Sequence, residues 1–175
     1  KSVYASVRKL AAAHVMIARR GAAPRIARYW TPLEALGQRA EASTQTLVDK
    51  LKAAVKSRLI SEVPLGALLS GGVDSSAVVA TMAGLSKEPV RTCSIGFDDP
   101  KFNEVEFAQT VADRYHTDHH VETVKSDDFD LIDTLAHLYD EPYADSSAIP
   151  TYRVCQLARK RVTVALSGDG GDETF

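Results

Sequence analysis

Two glycine-containing turns hold most of the residues in this chain whose types and spacing can do chemistry: Ser70-Gly71-Gly72-Val73-Asp74-Ser75-Ser76 and Ser167-Gly168-Asp169-Gly170-Gly171-Asp172-Glu173. In the first, paired glycines let the backbone turn sharply and approach an anion closely. A helix starting there would aim its free N–H groups and the positive end of its macrodipole at that anion. The turn therefore reads as a phosphate cradle. It lacks the Gly-Lys-Ser/Thr that reaches the β- and γ-phosphates in a Walker A loop. That suits pyrophosphate as a leaving group better than transfer of the terminal phosphoryl. The plainer reading is a tight turn with Asp74 or Ser75 as a helix cap. An apolar strand before it, a helix after it and an Asp among hydroxyls favour the cradle.

The second turn also follows an apolar strand, but it is loaded with carboxylates. In a parallel sheet both turns lie at the same edge, so Asp74 and Asp172 can face one Mg²⁺ held between them and the phosphates of a nucleotide. An acidic surface loop is the alternative, and the position after a buried strand argues against it. Asp140-Glu141-Pro142-Tyr143-Ala144-Asp145-Ser146-Ser147 is either a source of hydroxyls for an acyl substrate or a turn with a helix cap. His119 and His120 are adjacent in a strand and point to opposite faces, which makes a poor metal pair. Asp98 and Asp99 follow the second strand and could touch a ribose, but read first as a solvated turn; Trp30 reads as a packing residue between domains rather than a base-stacking one.

The elements that must position these turns follow from periodicity. Strands at Pro64–Leu69, Val90–Ile95, Asp118–Val124 and Val162–Leu166 alternate with helices at Asp74–Leu85, about Asn103–Tyr115, about Asp127–Tyr139 and Ile149–Lys160. Short apolar strands between helices predict an α/β fold with a parallel sheet and crossover helices. Upstream, Leu47, Leu51, Val55 and Leu59 recur at spacing four on a helix expected from about Glu41 to Leu59. Before it, Ser2–Ser6, His14–Ala18 and Arg25–Trp30 are β-prone pieces broken by Gly21-Ala22-Ala23-Pro24, as at the end of an antiparallel sheet.

The 175 residues, 45% of them hydrophobic, can bury a core of ordinary domain size. A net charge of -2 with interspersed signs gives no basic stripe for a nucleic-acid backbone. Apolar runs fall far short of the roughly 20 residues that span a bilayer, and Lys1-Ser2-Val3-Tyr4 does not open like a signal peptide. The expectation is a piece of a larger cytoplasmic protein without nucleic-acid or membrane partners. Cys93 and Cys155 have no metal or redox spacing and are expected to be reduced, buried apolar residues.

Leu68-Leu69-Ser70-Gly71-Gly72-Val73-Asp74-Ser75-Ser76, then Ser94-Ile95-Gly96-Phe97, then Leu166-Ser167-Gly168-Asp169-Gly170-Gly171-Asp172-Glu173 resemble the ATP-binding half of glutamine-hydrolysing asparagine synthetases. The resemblance covers residues 60 to 175 strongly. Residues 1 to 30, with Leu10, His14 and Arg28-Tyr29-Trp30, more weakly resemble the end of that family's glutaminase domain. It implies a sheet of the adenine-nucleotide α-hydrolase type and a division into a glutaminase remnant (1–30), a linker and helix (31–60) and the N-terminal part of the synthetase domain (61–175). It also implies ATP and Mg²⁺ as cofactors. Ser70, Gly71, Gly72, Ser75 and Ser76 would hold pyrophosphate, and Asp74 and Asp172 the metal. Leu68, Ile95, Ser167 and Gly168 would surround the adenosine. Asp169, where many relatives carry Glu, would handle protons or position the acyl group, making it catalytic alongside Asp74 and Asp172.

The implied reaction is adenylylation of the aspartate side chain, or of another carboxylate, followed by attack of ammonia released from glutamine by a glutaminase domain in the full-length chain. A homodimer is left open, and relatives' downstream Lys and helices are not included, so the fragment alone is expected to be inactive. No Arg stands beside Ser146 and Ser147 to pair a substrate carboxylate. The rivals are another amidotransferase or a β-lactam-type synthetase with the same loop, and a non-catalytic nucleotide-binding module. Three retained carboxylates weigh against the last.

Overall fold

Leu65-Gly66-Ala67-Leu68 carries no charge on either face, and in the computed structural model it is an inner strand of a parallel sheet. Residues 2–34, 43–98, 103–124, 129–139 and 141–171 are described. The strands are β1 (His14–Ile17), β2 (Arg25–Arg28), β3 (Leu65–Leu68), β4 (Arg91–Phe97), β5 (Asp118–Val124) and β6 (Val164–Leu166). The helices are α1 (Thr44–Arg58), α2 (Val73–Leu85), α3 (Val105–Tyr115), α4 (Ile132–Leu138) and α5 (Ala148–Arg159).

The sheet runs β5-β4-β3-β6, all neighbours parallel. Its inner strand β4 has Thr92, Cys93 and Ser94 buried in succession, whereas the edge strand β5 alternates exposed and half-buried residues along most of its length. This is the difference expected between a strand covered on both faces and one at the rim. Alternation along β3 sends Ala67 and Leu69 into one core and Leu68 toward another. The first core joins Val55 of α1, Val79 and Met82 of α2, and Ala108 and Ala112 of α3. The second joins Cys93 with Leu157 and Ala158 of α5 and with Val162. The sheet is thus the middle of three layers, and the parallel α/β expectation holds.

The chain divides into two compact units, Lys1–Ser43 and Thr44–Phe175. In the first, β1 and β2 pair antiparallel with His14 opposite Arg28. The expected β-prone piece Ser2–Ser6 is a turn instead. The Ser2 hydroxyl lies 3.1 Å from the Tyr4 carbonyl and 2.7 Å from the Val7 carbonyl, local bonds that compete with a strand ladder. In the second unit, the helix expected over Asp127–Tyr139 is a 3-10 turn, Phe129–Leu131, followed by the short α4; residues 127 and 128 lie outside the described residues. The last strand begins two residues later than expected, because the Val162 N–H is spent on the Ala158 carbonyl at 2.8 Å. Cys155 is exposed, correcting the expectation that both cysteines are buried. On α5 the inward stripe passes through Val154, Leu157 and Ala158, which turns Cys155 outward. Among the described residues no helix is long and apolar enough to cross a membrane.

Candidate active site

Both glycine turns open at the carboxyl ends of parallel strands, β3 and β6, which are hydrogen-bonded neighbours. The residue before the first turn is held from two sides. The Leu69 N–H donates to the Cys93 carbonyl at 2.9 Å, and the buried Ser94 hydroxyl donates to the Leu69 carbonyl. Gly71 then takes φ +87°, and a Cβ there would lie 2.5 Å from Phe107 Cβ and 2.6 Å from the Ala108 nitrogen. Only glycine fits, because the turn packs directly on the first turns of α3. Gly72, extended at φ -66° and ψ 163°, caps α2 without a side-chain bond.

The hydroxyls of Ser70 and Ser75 close this loop. Ser75 Oγ donates to the Gly72 carbonyl at 3.2 Å and accepts the Ser70 N–H at 3.3 Å. The two hydroxyls share a bond of 2.9 Å, and Ser70 Oγ also accepts the Gly72 N–H at 3.3 Å. If Ser75 gives its proton to the carbonyl, Ser70 must donate within the pair, so both hydroxyl protons are committed. The Ser76 N–H bonds the Gly72 carbonyl at 3.0 Å. That leaves the leading N–H groups of α2, at Val73 and Asp74, without intrahelical partners and aimed outward, with the dipole behind them.

The second turn lies over that helix start. A Cβ on Gly168 would stand 2.5 Å from the Ser75 nitrogen, and one on Gly171 would stand 2.4 Å from Asp74 Oδ1. The two backbones therefore clasp Asp74, which is half-buried. Asp169 is exposed, its N–H bonded to Ser167 Oγ at 3.2 Å. One cavity of about 260 Å³ unites Leu68, Ser70, Gly72, Asp74 and Ser75 with Ser167, Gly168 and Asp169. A second, of about 240 Å³, shares Leu68 and Ser70 with it and extends past Ile95 and Phe97 to α3 and the start of α5. A larger cavity among the described residues, about 800 Å³, is an apolar groove between α1, α2 and β6. It touches Asp74 and the second turn, but the convergent polar groups that fix a ligand belong to the smaller cradle.

Of the other expected site residues, Gly71 is turned to α3, and Ser76 lines none of these cavities; its Oγ is occluded without a partner among the described residues. Asp172 lies outside the described residues. A Mg²⁺ ion uses one or two carboxylates together with phosphate oxygens, and Asp74 beside the free N–H groups fits that donor set. Among the described residues no group of three or more His, Cys, Asp or Glu could hold a metal without such oxygens.

Asp145 accepts the Ser147 N–H at 2.8 Å. That bond holds its carboxyl below the usual carboxylate range. The bond makes a local turn ahead of α5, whose N-cap residue Ser147 has no side-chain cap bond; Ser146 and Ser147 line neither small cavity, whereas Pro150 and Thr151 line the second. His119 is half-buried and His120 exposed. His119 Nδ1 and Thr117 Oγ1 each lie 2.8 Å from Thr92 Oγ1 near the other end of the strands, and burial pushes the His119 pKa down. Burial likewise pushes the Cys93 thiol up, which leaves it unsuited as a nucleophile. Sequence reasoning quoted Ser94 within a motif without giving it a role at the site, and passed over Glu104. A polar residue inside an apolar strand was the available signal for the first; for Glu104, facing the second cavity, the sequence offered none.

Residues 46–175 match the asparagine synthase family. A putative glutamine-hydrolysing asparagine synthetase from Methanocaldococcus jannaschii is 52% identical over 126 residues, which cover 70% of this chain and 24% of that protein. The glutamine-hydrolysing asparagine synthetase 1 of Bacillus subtilis is 36% identical over 128 residues, covering 73% of this chain and 20% of that protein. The chain thus spans about a quarter or less of the length of these relatives. Among solved structures, an NH3-dependent NAD synthetase from Campylobacter jejuni aligns with a TM-score of 0.49 and 14% identity, over 71% of this chain and 56% of that one.

Proposed function

The chain belongs to the asparagine synthase family, and from that premise we propose that it forms the nucleotide-binding part of an ATP-dependent amide-forming ligase of the glutamine-hydrolysing asparagine synthase type. The observation that carries this reading is the clasp: two glycine turns close around Asp74 at the start of α2 and leave one cavity lined by backbone donors and carboxylates, with no P-loop lysine.

In this reading the N–H groups of Val73 and Asp74 hold the β- and γ-phosphates as pyrophosphate departs. A substrate carboxylate oxygen attacks the α-phosphorus, the bond to pyrophosphate breaks, and an acyl adenylate forms. Ammonia then adds to the acyl carbon, gives up a proton, and AMP leaves. Asp169, at the cavity rim, positions the acyl group or receives that proton. Asp74, with Asp172, holds Mg²⁺, which supplies positive charge against the phosphates when bound. Leu68 and Ile95 pack against the adenosine, beside Ser167 and Gly168. Residues 1–30 form the end of a glutaminase domain that supplies the ammonia, and the protein works in the cytoplasm.

A second reading keeps the chemistry and changes the acyl group. It is favoured by the Ser146-Ser147 turn, which lines neither small cavity and has no neighbouring Arg. Both are tested by pyrophosphate and AMP release from the intact protein with ATP, ammonia and a panel of carboxylates. Release that depends on aspartate supports the first reading, and release with another carboxylate supports the second. No release with any carboxylate, in protein that binds ATP, rejects both.

A further inference from the structure

The second cavity is lined in part by an acidic residue, Glu104, that the reaction above does not use. Its floor and walls are largely apolar, made by Leu68, Ile95, Phe97, Val105 and Val154. Most of its polar side chains are already engaged. The Ser94 hydroxyl bonds the Leu69 carbonyl, and the Ser70 hydroxyl closes the glycine loop. What remain are Thr151, on the α5 side, and Glu104, which immediately precedes α3.

The position of Glu104 relative to the cradle is fixed by backbone contacts. Its carbonyl accepts the N–H groups of Phe107 at 3.1 Å and Ala108 at 3.2 Å. These are the residues on which Gly71 packs. Glu104 therefore stands one helical turn from the phosphate-side loop, in the cavity that joins the cradle through Leu68 and Ser70. A nucleotide with its phosphates over α2 would place its sugar at that junction and its flat base deeper, against Ile95, Phe97 and Val154. An anionic carboxylate there repels phosphate and accepts hydrogen bonds from neutral hydroxyls. Vicinal ribose hydroxyls are the part of the nucleotide that offers them.

We propose that Glu104 is a specificity-determining residue that accepts hydrogen bonds from the ribose hydroxyls of the bound nucleotide and so selects ribonucleotides over deoxyribonucleotides. The inference rests on the reading of this site as an ATP site. Hydrogen bonds to a charged acceptor predict about a tenfold to hundredfold preference for ATP over 2′-deoxyATP or 3′-deoxyATP.

The test is equilibrium binding of the three nucleotides to the intact protein, in the parent and in the Glu104→Gln, Glu104→Ala and Thr151→Ala variants. Circular dichroism confirms that each is folded. The expected result is a parent preference of at least about tenfold, weakened in Glu104→Gln, close to unity in Glu104→Ala, and kept in Thr151→Ala. Equal binding of ATP and both deoxynucleotides by the parent overturns the proposal, as does a preference that survives Glu104→Ala or is lost in Thr151→Ala. Absence of ATP binding by the parent defeats the ATP reading itself, a result distinct from any of these.

Discussion

Gly71 and Gly72 are neighbours with opposite demands. Gly71 sits at φ +87° with α3 where a side chain would go, so Gly71→Ala should destabilise the fold by about 2 kcal/mol or more, combining left-handed strain with overpacking. Gly72 has φ -66°, and a Cβ there meets only Ser70 Oγ at 3.4 Å. Gly72→Ala should therefore fold normally and lose about tenfold in ATP affinity by crowding the phosphates away from the helix N–H groups. Urea unfolding paired with nucleotide titration separates the two effects, and equal stability of both variants would contradict this division. The carboxylates divide similarly. Asp74→Asn, clasped by Gly171, should abolish the Mg²⁺ dependence of nucleotide binding. Asp169→Asn, exposed at the rim, should keep ATP affinity and lose turnover, the mark of a contact made mainly in the transition state. Parallel loss of affinity in both would show that the two acids share one role.

Strands β4 and β5 are joined by more than their ladder. Thr92, fully buried, bonds Thr117 and His119 across the two elements. Burial lowers the folded-state pKa of His119, opposed by Asp113 and by its bond to Thr92, while His120 adds to the lowering. The unfolded chain therefore takes up the proton first as pH falls. The stabilisation is complete above the ordinary histidine pKa and is lost as pH drops from there through the folded value. The urea midpoint should decline between pH 7 and pH 5 more steeply in the parent than in His119→Asn; identical slopes would remove His119 from the account. The face of α5 makes a separate prediction. Cys155 should react with a thiol reagent in the native protein, and Cys93 only after unfolding. Two fast thiols would mean that the second core is open.

Across the whole of the larger unit, α5 is tied to the edge of the sheet by Lys160–Glu122 at 2.8 Å and Arg161–Asp118 at 2.6 Å. The partners are largely solvent-exposed, so each pair contributes at most about 1 kcal/mol. Leu157, Ala158 and Val162 against Cys93 supply the main attachment. Glu122→Gln should accordingly shift the thermal midpoint only slightly, whereas Leu157→Ala should cost about 2–5 kcal/mol and distort the wall of the second cavity. Calorimetry distinguishes these outcomes, and a large loss in Glu122→Gln would give the ion pair a weight its exposure does not support.

The parallel α/β architecture and the location of both glycine turns were legible in the sequence, because strand and helix periods and turn residues are local properties of the chain. So was the absence of a P-loop lysine. The fate of individual groups was not legible. Ser70 and Ser75 turn their hydroxyls on each other, Gly71 serves α3, Cys155 faces outward, and Ser94 and Glu104 reach the site from β4 and from the start of α3. Each of these depends on which elements become neighbours across tens of residues. Only the packing of α3 and α5 on opposite faces of the sheet settles that, since a side chain's hydrogen-bond partner and burial are fixed by what stands next to it in space.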